Sequence, residues 1–173
     1  MTLETLNDLY IAQLKDLYSA ENQLLKALPK MAKAASTPEL KSAFTKHLGE
    51  TEKQVERLES IFKTLDAKPG GHKCKAMEGL LEEGEEMMKE KGDPDVIDAG
   101  LIAAAQRVEH YEIAGYGCVR TYAAELGNQE HLKLLQTTLE EEGATDKNLT
   151  ELAVRLVNIR AENGSDSATG RNK

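Results

Sequence analysis

Apolar side chains recur at alternating three- and four-residue steps through most of the chain, the spacing that places them on one face of a helix. On this pattern, four long helices are predicted over residues 2–35, 38–65, 94–126 and 129–160. A shorter helix is predicted over residues 74–90, between the second and third long ones. Pro38 and Pro94 stand where a helix begins, and Gly127 stands where one ends. The breaks in the pattern therefore carry residues that helix termini favour.

Helices joined by short connections pack as antiparallel pairs. The pattern predicts two such helical hairpins, 2–65 and 94–160, with a crossover over residues 66–93. The fold class predicted is all-α: an up-down four-helix bundle whose long crossover contains a short extra helix. We expect residues 1–162 to form this single domain and the polar residues 163–173 to form a flexible tail.

Polar residues interrupt each apolar stripe near the middle of its helix. The candidate inward-facing residues are, in chain order, Glu21, Glu50, Gln54, Glu109, Glu112, Glu142 and Asp146. Counted from the nearest turn, these positions lie roughly 14 to 19 residues away on both hairpins, so that at about 1.5 Å rise per residue they reach a similar depth. We therefore predict one polar layer across the core of the bundle.

The arrangement of these residues is the same in the two hairpins, which indicates an internal repeat. The corresponding pairs are Glu21 and Glu112, Glu50 and Glu142, and Gln54 and Asp146. A duplicated helical hairpin would bring both copies of the polar layer to the same height.

An ionised carboxylate in a bundle core is costly unless it is paired, protonated or bound to a metal. No Lys or Arg occupies the matching stripe positions, so one or two divalent metal ions are the simplest way to neutralise the layer. Two other interpretations stay open: a protonated, hydrogen-bonded layer without metal, and a solvated face. Gln54 suits a hydrogen bond to a ligand as well as ligation itself. His47, one turn before Glu50, is interpreted first as a partly buried structural histidine, and a role as a nitrogen ligand stays open.

Composition narrows the classes of function. The chain has 173 residues and a formal net charge of −8. This charge argues against nucleic acid as the main partner, because phosphate binding needs a basic face. Cys74 and Cys118 lack a metal-binding spacing. The sequence shows neither a signal peptide nor a bilayer-spanning apolar run, so we expect no membrane partner and a cytoplasmic location.

Five segments carry a resemblance to a known family: DLYSAENQLLKALPKMAKAASTPELKSAF, HLGETEKQVERLE, CKAMEGLLEEG, VEHYEIAGYG and TLEEEGATDKNLTELA. Over nearly all of its length, the chain resembles the YciF-like stress-response proteins of the ferritin-like superfamily. The resemblance implies a ferritin-like bundle. Di-iron proteins of this superfamily supply one Glu from each of two helices and a Glu-x-x-His motif from each of the other two.

The resemblance also implies roles for individual residues. Glu21 and Glu112, with Glu109 beside the latter, match the single glutamates. Glu50 and Glu142 match the start of the second motif, although neither is followed by a His three residues later. The resulting oxygen-rich set leaves Mn, Mg or Ca open beside Fe.

The resemblance implies a stress-response protein with a dinuclear Fe or Mn site and redox chemistry on oxygen or peroxide. Tyr116 would be a neighbour of that site, because its spacing from Glu109 resembles a Glu-x6-Tyr element. Any electron donor would be external, since no rubredoxin-like cysteine set is present. The alternative is a non-enzymatic, dimeric helical stress protein with a vestigial, metal-free layer. We expect a homodimer, and give less weight to an iron-storage cage.

Overall fold

A computed structural model describes residues 3–168 of the chain. Its helices are α1 (Leu6–Ala34), α2 (Pro38–Thr64), α3 (Lys75–Met87), α4 (Pro94–Glu125), α5 (Gln129–Leu152) and α6 (Asn158–Ala168). A π-helical turn, Ala153–Val157, joins α5 to α6. The described residues contain no strand. The predicted all-α, up-down bundle with a short helix in its crossover is confirmed.

The bundle is built from two hairpins. Helix α1 packs on α2 and α4 packs on α5, while α1–α4 and α2–α5 contacts join the two pairs. The crossover helix α3 covers α4 and α1. Two apolar clusters fill the core, one represented by Leu28, Phe44 and Leu101, the other by Leu14 and Ile61. Along α1, α2, α4 and α5, the predicted polar layer falls between these two clusters.

The first helix begins later than the sequence pattern predicts. Thr5 caps α1: its hydroxyl accepts a hydrogen bond from the Asp8 amide, and the Asp8 carboxylate accepts one from the Thr5 amide. This reciprocal capping box satisfies donors that the first turn of a helix leaves free. The cap therefore places the helix start at Leu6 rather than near residue 2.

The last long helix also differs from its prediction. A single helix to residue 160 would place Leu156 on the buried stripe, but the structure buries Val157 instead. A π-helical turn contains an extra residue, so the face after it is displaced by one position. Helix α6 continues to Ala168, beyond the predicted boundary at 163. The rest of the predicted tail, residues 169–173, lies outside the described residues.

A buried aspartate joins the two hairpins. The Asp98 carboxylate on α4 accepts hydrogen bonds from the Ser36 amide at 2.8 Å, the Ser36 hydroxyl at 2.8 Å and the Thr37 amide at 2.7 Å. Thr37 is the N-cap of α2 and makes no side-chain cap of its own. Asp98 therefore holds the turn between α1 and α2 against the other hairpin.

The sequence predicts that no apolar run is long enough to span a bilayer. Within residues 3–168, no helix combines the length and the apolar character needed to cross a bilayer.

Candidate metal centre

Four buried side chains meet in the layer between the two apolar clusters. They are His47 from α2, Glu109 and Glu112 from α4, and Glu142 from α5. Each offers one ligand atom, and these four atoms all lie within 4.8 Å of one another. A metal ion with ligands at about 2.0–2.6 Å holds opposite donors roughly 4–5 Å apart. The spacing of the four atoms therefore fits a single ion between them.

His47 contributes the nitrogen atom of this group. Its Nε2 atom lies 3.2 Å from Glu109 Oε1 and 4.0 Å from Glu142 Oε2. Nevertheless, Nε2 makes no hydrogen bond of acceptable geometry. Its other ring nitrogen, Nδ1, lies 3.5 Å from the Thr145 hydroxyl. A second partner of this kind orients an imidazole toward a metal.

The layer leaves an unusual number of buried polar atoms without a hydrogen-bond partner. These atoms include Glu21 Oε2, Gln54 Oε1, Glu109 Oε2, both carboxylate oxygens of Glu112 and both of Glu142. Buried polar groups in native proteins are nearly always paired, because an unpaired one costs about 1–3 kcal/mol. The free atoms are carboxylate and amide oxygens together with an imidazole nitrogen, a donor set suited to Fe and Mn. The residues therefore fit a divalent metal.

Charge is neutralised in a different way when no metal is bound. Burial raises the pKa of Glu21 to about 8 and the pKa values of Glu112 and Glu142 well above their ordinary range. Burial opposes the charged form of His47, but the charge of Glu109 outweighs it and raises the pKa of the imidazole well above its usual value. These shifts favour protonated carboxylates and a protonated imidazole when no metal is bound.

Tyr116 closes one side of the layer. Its phenolic hydroxyl donates a 2.5 Å hydrogen bond to Glu21 Oε1, and both side chains are fully buried. The bond uses one oxygen of Glu21 and leaves the other, Oε2, free. The position of Tyr116 beside the layer agrees with its predicted role as a site neighbour.

The structure buries five of the seven predicted polar residues and leaves two at the edge. Glu21, Gln54, Glu109, Glu112 and Glu142 are all buried in the layer. Glu50 is 19% exposed, and its Oε1 pairs with Lys46 at 2.5 Å. Its Oε2 is buried without a hydrogen-bond partner, 3.9 Å from His47 Nδ1. His47 and Lys46 lower the pKa of Glu50 to about 2, against the opposing effect of burial.

Asp146 is the other predicted residue that lies outside the buried group. It accepts a hydrogen bond from Gln106 Nε2 at 2.9 Å, and its Oδ1 lies 3.3 Å from the exposed His110. The side chain of Asp146 is 24% exposed. Both of its neighbours therefore lie toward the surface, and Asp146 has partners that the inner carboxylates lack.

The predicted internal repeat was wrong by one residue in its second arm. The offset that relates Glu21 to Glu112 also relates Thr51, rather than Glu50, to Glu142. Thr51 is fully buried, whereas Glu50 is not. Each hairpin therefore has its own version of the layer, with a hydroxyl on α2 where α5 presents a carboxylate.

The structure places His47 among the possible ligands, the alternative that the sequence left open beside a structural role. A signal for that position exists, because His47, Thr51, Gln54 and Leu58 follow one another at four-, three- and four-residue steps. The buried residues Thr138, Glu142, Thr145 and Leu149 repeat the same steps on α5. Comparing the two stripes in this register places His47 on the buried face.

The fold and the site together define a class: a ferritin-like helical bundle with a buried, carboxylate-rich layer. Residues 5–162 match the family described as Domain of unknown function (DUF892). The chain is 49% identical to Protein YciF of Escherichia coli (strain K12) over 164 residues, which cover 94% of this chain and 99% of that protein. The chain belongs to this family, as the resemblance predicted.

Solved structures agree with this assignment. The crystal structure of the E. coli stress protein YciF superposes with a TM-score of 0.86 at 49% identity, covering 90% of this chain and 98% of that one. YcfI from Rhodopseudomonas palustris superposes with a TM-score of 0.82 at 45% identity, covering 86% and 94%. A protein from Xanthomonas campestris shares the fold at 22% identity, with a TM-score of 0.76 and coverage of 93% and 99%.

Proposed function

We propose that this protein binds Fe or Mn in the buried layer and acts as a metal-dependent stress protein. The observation that carries the proposal is the group of four mutually close ligand atoms from His47, Glu109, Glu112 and Glu142. The unpaired carboxylate oxygens around them support it, because a bound cation would satisfy them. The stress role rests on the similarity to the E. coli stress protein YciF.

The layer offers more unpaired donor atoms than the four-atom group alone, and we propose that it holds two metal ions. Glu112 and Glu142 each have two unpaired buried oxygens, which is what a carboxylate that bridges two ions requires. Glu21 and Gln54 each add one unpaired oxygen. In this proposal six residues would hold the ions: Glu21, His47, Gln54, Glu109, Glu112 and Glu142.

A dinuclear Fe or Mn centre would supply electron transfer to oxygen or peroxide. The chain's own residues would bind the ions, exclude water and place the Tyr116 hydroxyl beside Glu21. Electrons would come from an external donor.

Elemental analysis of protein purified without chelator tests the proposal. We expect about one or two equivalents of Fe or Mn in the wild type. Glu112→Gln combined with Glu142→Gln should abolish this content while keeping the side-chain shapes. Glu140→Gln combined with Glu151→Gln, two exposed acids of the same helix, is the matched control. An empty wild type, even after anaerobic Fe(II) loading, would contradict the proposal.

A second candidate is a non-enzymatic, metal-free helical stress protein. The observation that favours it is His47, since an imidazolium among protonated carboxylates neutralises the layer without metal. Metal content separates the two candidates. We propose a homodimer in either case, supported by the exposed apolar side chains Val154 and Ile159 near the end of the chain. Light scattering at several protein concentrations tests that state.

A further inference from the structure

An ion pair lies immediately outside the buried layer. Arg57 on α2 donates two hydrogen bonds to Glu141 on α5, at 2.6 Å to Oε2 and 2.7 Å to Oε1. Arg57 also donates to the Thr138 hydroxyl at 3.1 Å. A guanidinium that binds both oxygens of a carboxylate makes a strong, directional pair. Glu141 is therefore a fixed negative group at the edge of the site.

Gln54, a buried member of the layer, contacts this ion pair. Its Nε2 atom donates a hydrogen bond to Glu141 Oε2 at 3.2 Å, and its side chain is fully buried. An ionised carboxylate only accepts hydrogen bonds, so the amide group that faces it must be the NH₂. The reverse orientation would place the Gln54 carbonyl against a carboxylate oxygen and is unfavourable.

The other end of the amide is then determined. Gln54 Oε1 is buried and has no hydrogen-bond partner. Because Nε2 donates to the Glu141 carboxylate, the carbonyl oxygen Oε1 is the atom of the Gln54 amide that remains free to bind a metal ion. A neutral oxygen donor of this kind is a common ligand for hard divalent cations.

We propose that Glu141, held by Arg57, is a positioning residue that presents the Gln54 carbonyl oxygen to the metal centre as a neutral ligand. The inference rests on the proposed function, because it concerns the same site. It adds a reason for an amide at this position. Glu21, Glu109, Glu112 and Glu142 carry four negative charges when ionised, which two divalent cations balance, whereas a fifth carboxylate at position 54 would also face Glu141.

Metal titration of isosteric variants tests the inference. We expect Glu141→Gln to weaken Mn(II) binding by about 10- to 100-fold, as loss of an orienting partner does at other metal sites. A glutamine at position 141 can accept or donate, so it no longer forces one orientation of Gln54. Gln54→Leu should weaken binding at least as much. Glu140→Gln changes the same charge at the neighbouring exposed position and should bind as the wild type does.

Three further tests separate positioning from a merely structural role. The visible absorption of bound Co(II) should change in Glu141→Gln and in Gln54→Leu but not in Glu140→Gln, because it reports the ligands. In the Gln54→Leu background, Glu141→Gln should cause no further loss of affinity, since Glu141 acts through Gln54. Arg57→Lys, which keeps the charge but loses the two-point contact, should give an intermediate loss.

The outcomes distinguish this inference from the proposed function. Wild-type affinity and an unchanged Co(II) spectrum in Glu141→Gln would overturn the inference alone. Additive losses in the double variant would overturn it as well. A wild-type protein that binds neither Mn(II) nor Co(II) would overturn the proposed function and this inference together.

Discussion

Asp98 and the glutamates of the central layer are both buried acids, but the fold treats them differently. Asp98 accepts three hydrogen bonds from the turn between α1 and α2. Glu112 and Glu142 have no hydrogen-bond partner on either oxygen. Burial raises the pKa of Asp98, yet these hydrogen bonds outweigh it and hold the pKa below its usual value, whereas the pKa values of Glu112 and Glu142 are raised.

The difference teaches how to separate a structural acid from a functional one in this bundle. A buried carboxylate whose acceptor sites the protein itself fills contributes to stability. A buried carboxylate whose oxygens accept no hydrogen bond lowers stability unless it binds a cation or a proton. On this criterion, Asp98 belongs to the scaffold and Glu112 and Glu142 belong to a binding site.

The largest effect is expected at Asp98. Asp98→Ala leaves the amides of Ser36 and Thr37 without an acceptor and should lower the free energy of unfolding by about 3 kcal/mol. Urea denaturation measures this loss. The control is Glu125→Ala, which removes an exposed acid from the same helix and should cost little. An equal decrease in the free energy of unfolding in the two variants would show that the hydrogen bonds of Asp98 do not stabilise the fold.

A substitution at Glu112 should raise the free energy of unfolding of the metal-free protein, whereas the substitution at Asp98 lowers it. Glu112→Gln removes an unpaired buried acid, so the metal-free protein should become more stable by about 1–3 kcal/mol near pH 8. The same variant should lose metal-dependent stabilisation, because it removes a proposed ligand. Thermal unfolding with and without Mn(II) measures both effects. A metal-free variant that is clearly less stable than the wild type would contradict the distinction drawn between Glu112 and Asp98.

The pH dependence of stability should also differ between the two regions. Because the pKa of Glu21 rises from 4.5 to about 8 on folding, its contribution is present below about pH 4.5 and is lost as the pH rises through about 8. His47 has the same sign, since its pKa is raised too. The lowered pKa of Asp98 has the opposite sign and matters only in acid.

We therefore expect metal-free protein to melt at lower temperatures as the pH rises from about 5 to about 9. Bound Mn(II) should flatten or reverse that trend, because it replaces protons. Melting curves of Glu21→Gln should show a weaker dependence than the wild type. A trend that is identical with and without metal would mean that these carboxylates do not bind it.

The smallest effects are expected at the two predicted ligands that lie toward the surface. Glu50→Gln removes a partly exposed pair with Lys46, and Asp146→Asn removes contacts with Gln106 and His110. Exposed pairs of this kind contribute about 0–1 kcal/mol. Metal stoichiometry should stay at the wild-type value in both variants. Loss of one equivalent of metal in Glu50→Gln would show that Glu50 is a metal ligand.

Periodicity along the chain was sufficient for the helices and for much of the layer. Glu21, Glu109, Glu112 and Glu142 could be placed in the core because helical spacing is a local property, readable over a few turns. The same spacing placed Tyr116 beside them. The pairing of helices followed from the short connections around residues 36 and 127, since a short loop allows only an antiparallel neighbour.

Tertiary packing decided which of two adjacent positions faces the core. Neighbouring residues on a helix point about 100° apart, and alternating steps of three and four are compatible with either Glu50 or Thr51 on the buried face. Contact between α2 and α5 selects Thr51, and with it His47, and leaves Glu50 toward the surface. Two other features also depend on the tertiary structure. The hydrogen-bond partners of Asp98 are distant in sequence, and the π-helical turn at Ala153–Val157 departs from the regular helical period. Local pattern therefore determined that an acidic layer exists and identified most of its members. Only the packed bundle decided between adjacent positions such as Glu50 and Thr51.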